Sequence, residues 1–160
     1  MDITYGPEFG LQHDSTGELS FRKGVMQLQE YMQTLESNLE DCTLRHIFAP
    51  GSYAREMTIP KGTLIIGKIH KHAHLNIISK GKVRVATEFG PMFFEAPHTF
   101  VSEVGTKRAV YALEDTVWTT IHVTEETDLE KIEDYVIAKS YDELEALGLS
   151  PRMKIEGEAL

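Results

Sequence analysis

Cysteine is nearly missing from this chain: Cys42 is the one thiol among 160 residues. A lone thiol makes no internal disulfide and supplies no cysteine cage for zinc, which points to a reducing setting. Basic residues are also scarce, 16 Lys and Arg against 25 Asp and Glu, for a net charge of −9. Such a chain repels nucleic-acid polymers and anionic bilayers unless its cations cluster, and here they are scattered. No apolar run approaches the ~20 residues that cross a bilayer. The start, Met1-Asp2-Ile3-Thr4-Tyr5-Gly6-Pro7, lacks the basic and apolar regions of a signal peptide. These absences exclude nucleic acid and membrane as partners and lead us to expect a soluble cytoplasmic protein. Also missing are a nucleophile elbow, a phosphate loop and a well-spaced acid–base pair; Glu114-Asp115 reads as a hairpin turn.

What is present is an ordinary globular mix, 41% apolar and 26% charged, long enough for one core and too short for two. Residues 1–42 read as an irregular arm rich in Gly and Pro followed by a helix. Ser20 is the expected cap, and Val25, Leu28, Met32 and Leu35 recur at helical spacing. That stripe packs on the chain's own barrel or forms an oligomer contact. Residues 43–124 change texture to short runs of Val, Ile, Thr, Tyr and Phe. They are broken at Pro50-Gly51, Pro60-Lys61-Gly62, Lys80-Gly81, Ala96-Pro97 and Gly105, which is the rhythm of an all-β barrel or sandwich. Residues 125–160 turn helical again. Thr127-Asp128-Leu129-Glu130 and Ser140-Tyr141-Asp142-Glu143 are capping-box patterns. The first precedes Leu129, Ile132, Val136 and Ile137; the second precedes Leu144 and Leu147, with Gly148 as the stop. The last ten residues are expected to be loose.

The densest chemical signal is Gly67-Lys68-Ile69-His70-Lys71-His72-Ala73-His74. On an unbroken strand Lys68 and His70 share a face with Leu64 and Ile66, and His72 and His74 join them. Imidazoles two apart can converge on one metal ion, each reaching about 2.1 Å. The bland alternative is a polar strand end in solvent. Trp118, Thr120 and His122 share one face of the last barrel strand. There Trp118 can stack on a ring and His122 can hydrogen-bond it, or else Val117, Thr119 and Ile121 face inward and Trp118 packs beneath a terminal helix. Tyr111 either closes a pocket with its hydroxyl or sits in the core. His46 and His98 read as rim residues.

Three groups of residues together resemble a small single-domain cupin of the kind encoded in phage and prophage genomes. They are Ile59-Pro60-Lys61-Gly62-Thr63, the run from Gly67 through His74 to Gly81, and the later segments Glu95-Ala96-Pro97, Gly105-Thr106-Lys107-Arg108 and Glu114 to His122. The resemblance covers less than half of the chain. It implies a mainly β fold: one cupin-type double-stranded β-helix, or jelly-roll, barrel with flanking helices. Cupins usually place His-x-His, a Glu and a later His around a metal. Aligned on Gly81 and on Glu103-Val104-Gly105, those positions hold Lys68, His70, His74 and Arg108. Arginine and protonated lysine donate no lone pair, so this set favours an anion such as carboxylate, phosphate or sulfate.

Three readings follow. In the first, the barrel binds a small anion of nucleotide or sugar-phosphate type through Lys68, His70, His74 and Arg108, with Tyr111, Trp118 and His122 around it. The phage-type resemblance implies that such a protein sequesters its ligand, in the host cytoplasm if phage-encoded. In the second, His70, His72 and His74, with His122, hold zinc, iron or manganese in a metal-dependent oxygenase or isomerase. In the third, the chain is a structural homo-oligomer, a dimer or higher, serving a larger assembly.

Overall fold

The computed structural model describes residues 17–34, 42–87 and 90–149. The arm at 1–16, Leu35 of the apolar stripe and the last ten residues lie outside them. Helix α1 spans Gly17–Gln33, so Ser20 lies inside the helix and not at its cap. Phe21, Val25 and Leu28 recur every three to four residues and are buried, with Met32 packed against them.

Ten strands follow: β1 Thr43–Ala49, β2 Ser52–Ile59, β3 Leu64–Ile66, β4 Ile69–His70, β5 His74–Lys80, β6 Lys82–Thr87, β7 Gly90–Glu95, β8 His98–Ser102, β9 Ala109–Ala112 and β10 Thr116–Val123. They are cut where the turn residues stand. Pro50-Gly51 joins β1 to β2, with Gly51 at φ 76° supplying the positive φ that a side chain resists. Gly81 is required for a different reason. A Cβ there would lie 2.4 Å from the carbonyl oxygen of Asp115, so the β5–β6 corner closes only on glycine.

Nine of these strands form two antiparallel sheets, one of five strands in the order β1-β2-β10-β5-β8 and one of four in the order β3-β9-β6-β7, while β4 pairs elsewhere. Their inner faces meet around Ile78, Val83, Val85, Phe94 and Val110, with Phe100 and Trp118 against them. The outer face of the four-stranded sheet, at Leu64, Ile66, Ala86 and Ala109, is covered by α1. Tyr111 pairs with Leu64 and Arg84, which puts it on the same side as Leu64, away from the barrel interior.

The C-terminal segment closes one end. Helix α2 spans Leu129–Val136 and is capped by Asp128, whose side chain accepts from the amides of Glu130 and Lys131; the cap falls one residue after the expected Thr127. Its buried residues Ile132 and Val136 pack on Tyr53. The expected helical residue Ile137 instead opens β11, Ile137–Ala138, which pairs antiparallel with β4. Helix α3, Tyr141–Ala146, is capped by Ser140, buries Leu144, and stops before Gly148 at φ 68°. No helix among the described residues is long and apolar enough to cross a membrane.

Candidate functional site: a histidine and arginine cluster at the closed end of the barrel

The segment with the most histidines does not run straight. Strand β3 ends at Ile66, and the amide of Gly67 bonds to the carbonyl of Arg108 at 2.8 Å. The chain then leaves the four-stranded sheet so that β4 can pair with β11. Leu64 and Ile66 therefore face α1. Lys68, expected beside them inside the barrel, points outward and pairs with Glu133 of α2. A bend at Lys71 and His72 separates β4 from β5. Lys71 is held by the carbonyl of Asp134 at 2.8 Å and the carboxylate of Glu143 at 3.2 Å. His72 stacks on Tyr135 with ring centroids 4.5 Å apart.

His70, His74 and His122 come together. Their ring centroids lie 4.2 Å (His70–His74), 4.9 Å (His74–His122) and 5.8 Å (His70–His122) apart. His122 arrives because β10 lies between β2 and β5, and its inward face carries Trp118, Thr120 and His122 in the expected alternation. Tyr53 stacks on His122 at 6.1 Å, and its hydroxyl meets Nδ1 of His46 at 2.8 Å. Nδ1 of His70 faces the carbonyl of Thr106 at 3.4 Å, and Nδ1 of His74 that of His72 at 3.2 Å.

The cluster is kept neutral. Burial, reinforced by His74 and His122, pushes His70 down to about 3. Burial, with His74 and Arg55 adding to it, lowers His122 to about 4. His74 is lowered by burial and by Arg108, against the opposing hydrogen bond to the His72 carbonyl. Burial and the neighbouring positive groups disfavour imidazolium and outweigh the backbone carbonyls of Thr106 and His72, which favour it at His70 and His74; no carboxylate is among the groups acting on the three rings. By register, the charged strand residues Arg45 and Glu56 face outward together, whereas Arg55 pairs with Thr120 and so shares the inner face. The inner wall thus presents Arg55 and Arg108 with three neutral imidazoles.

Behind Arg108 runs a chain of polar side chains. Its guanidinium donates to Ser102 Oγ at 2.9 Å; Asn76 Nδ2 also donates to Ser102 Oγ at 2.9 Å; Trp118 Nε1 donates to Asn76 Oδ1 at 3.0 Å. The indole therefore works as an orienting group inside the barrel. Sequence reasoning did not single out Arg55, Tyr53, Asn76 or Ser102. Their one signal was alternation with apolar neighbours on β2, β5 and β8, which is legible only once the face is known. His98, expected at the rim, stacks on Phe94 and Phe100 at 4.8 and 5.3 Å.

A metal ion needs several lone pairs aimed at one point. Among the described residues no group of three or more His, Cys, Asp or Glu is arranged to hold a metal. As placed, these residues do not fit one. Beside the cluster opens a groove of about 310 Å³ lined by His72, His74, His122 and apolar side chains including Leu75, Val101 and Ile121.

No protein-family model matches the chain, and no curated protein matches it. Solved structures do. A salicylate 1,2-dioxygenase variant from Pseudoaminobacter salicylatoxidans aligns with a TM-score of 0.50 at 9% identity, over 69% of this chain and 33% of that one. KdgF from a Halomonas species aligns at 0.47 and 16% identity, over 58% and 86%. A cupin superfamily protein from Desulfitobacterium hafniense aligns at 0.47 and 8% identity, over 56% and 83%.

Proposed function

From the premise that the chain has a cupin-type β fold, we propose that it is a small-molecule-binding protein whose barrel holds an anionic ligand between Arg55, Arg108 and the histidine cluster. The observation that supports this reading is the one-sided charge of the inner wall. It carries two guanidiniums and three uncharged imidazoles, and no carboxylate is among the groups acting on the imidazoles. Guanidinium forks match carboxylate and phosphate oxygens two at a time. Neutral imidazoles add donors or acceptors according to tautomer, at no cost in buried charge. The Ser102–Asn76–Trp118 chain fixes Arg108 before a ligand arrives, which limits the ordering cost of binding. Lys68, held outside by Glu133, has no part in it.

Titration calorimetry of the full chain tests this. The panel is inorganic phosphate, ribose 5-phosphate, the common mononucleotides and succinate. At least one should bind, with a loss of about tenfold or more in Arg108→Ala and in Arg55→Ala, the usual weight of a charged hydrogen bond. Lys68→Ala should bind as wild type does. Binding that survives both arginine variants overturns the assignment, and so does a panel in which nothing binds.

A further inference from the structure

The imidazoles of the inner wall are covered from two sides. Toward the middle of the barrel stand Ile78, Val83, Val85, Phe94 and Val110, with Phe100 and Trp118 against them. Toward the end lies the C-terminal segment. Ile132 and Val136 of α2 pack on Tyr53, which stacks on His122. Strand β11 pairs with the strand that carries His70, and Tyr135 stacks on His72. His74 and His122 are each 6% exposed. The groove along the seam between α2 and the five-stranded sheet reaches both, but neither arginine lines it. An anion that spans imidazole and guanidinium therefore enters only when one cover moves.

Of the two covers, the C-terminal one is lightly held, and held by charge. Among the described residues its backbone joins the barrel through the residue pairs of β11 with β4 and through the amide of Lys71, which donates to the carbonyl of Val136 at 2.8 Å. Its apolar anchors are Ile132 and Val136 on Tyr53, and Ala138 and Leu144 on Ile69. Residues 125–149 carry nine acids against Lys131 and Lys139, most of the excess in a chain of net charge −9. The bases that answer them stand elsewhere. Lys68 and Lys71, on either side of His70, pair with Glu133 and Glu143, and Arg22 of α1 pairs with Glu145 at 3.9 Å. Each pair puts the acid on the C-terminal segment and the base on the body, so screening loosens all three together. Such exposed pairs hold weakly, and lids are drawn from the weakly held parts of a fold.

We propose that residues 128–149 form a lid, latched by Lys68, Lys71 and Arg22, that opens locally to admit ligand to the histidine and arginine cluster. That a ligand enters rests on the anion reading; the opening does not, and it is measured without ligand. Opening parts β11 from β4 and withdraws Ile132 and Val136 from Tyr53, while the barrel core stays folded. As long as the closed form dominates, the latch changes the rate of entry and leaves the affinity as it was.

Diethyl pyrocarbonate acylates neutral imidazoles, and peptide mass spectrometry follows each histidine of the ligand-free full chain. His70, His74 and His122 should label slowly at about 10 mM salt and faster at about 1 M, as the Debye length falls from roughly 30 to roughly 3 Å. In the triple variant Glu133→Gln, Glu143→Gln, Glu145→Gln they should label about fivefold faster at low salt, the combined weight of three partly exposed ion pairs. His98, stacked on Phe94 and Phe100, should keep one rate throughout. Native-state hydrogen exchange should show the amides of β4 and β11 opening faster than those of β6, inside the four-stranded sheet. If the triple variant fails to fold, the salt series and the exchange rates of the wild type decide. Labelling of the three histidines that ignores salt, or ignores the glutamines in a folded variant, overturns the lid. So do β6 amides that open as fast as those of β11, because the cluster is then bared by global unfolding. The expected labelling beside a calorimetric panel in which nothing binds removes the anion reading and keeps the lid.

Discussion

The two sheets of this barrel are built on opposite plans. The four-stranded sheet is apolar inside, at Val83, Val85 and Val110, and apolar outside, where α1 covers it. The five-stranded sheet is polar inside at its closed end, where it presents Arg55, His74, Asn76 and His122, and its apolar outer row is bare. Both outer faces carry apolar side chains, but only that of the four-stranded sheet is covered by its own chain. The stabilising burial is concentrated in the first sheet, and in the second two guanidiniums and three buried, neutral imidazoles are carried at some cost. Functional sites commonly give up stability in this way.

The largest expected effect breaks the covered side. Leu28→Ala removes a buried anchor of α1 and should lower unfolding free energy by about 2–4 kcal/mol, the range for leucine deletions that leave a cavity. Urea denaturation measures it. A change under about 1 kcal/mol would mean that α1 is loosely held and that the two outer faces do not differ as described.

The covered face was readable in the residues, whereas the site was only half so. Val25, Leu28 and Met32 recur at helical spacing, and Pro50-Gly51, Lys80-Gly81 and Gly105 cut the strands where turns need them, because local backbone chemistry decides both; Phe21 joins the stripe only in the structure. Alternation failed at Gly67-Lys68. It holds only while a ladder is continuous, and this ladder is broken by β4 turning to β11, a partner 67 residues away in the register pair His70 and Ile137. No local pattern announces such a partner. The same distant pairing converted Ile137 from helix to strand and put Lys68 outside. The approach of His122 and Arg55 to His70 rests on β10 entering between β2 and β5, a crossover that the strand rhythm leaves open.

Acid should sharpen the contrast between the inner walls. His122 titrates at about 4 and His70 at about 3 in the folded protein, against about 6.5 in an unfolded chain. Below pH 6.5 the unfolded state therefore binds protons that the folded state refuses. Stability is lost as pH falls from 6.5 toward 4, on the order of 1–2 kcal/mol per histidine by pH 5. The melting temperature of His122→Gln should fall less steeply over pH 6.5–5 than that of wild type. Parallel curves would place the proton-refusing groups elsewhere.

A smaller effect belongs to the helix side. Lys107 is buried at the α1 contact and donates to Gln29 Oε1 at 2.6 Å and the Gly67 carbonyl at 2.8 Å. Burial, with Lys68 adding to it, pulls it down to about 8. Between pH 8 and about 10.5 the unfolded chain keeps a proton that the folded one has released, so stability rises with pH across that window. The neutral amine still has two hydrogens for its two acceptors. Wild type should gain about 1 kcal/mol relative to Lys107→Met between pH 7.5 and 9.5, read from paired urea titrations.

The smallest effect comes from the bare face itself. Leu75→Ala trims a side chain that is 45% exposed in the single chain. The cost should stay within about 0.5 kcal/mol, since little apolar area leaves contact with protein. Paired urea titrations of wild type and Leu75→Ala measure it, with Leu28→Ala as the covered-face reference. A cost above about 1 kcal/mol would show that Leu75 is held against other groups in solution, and the outer faces of the two sheets would then not differ as described.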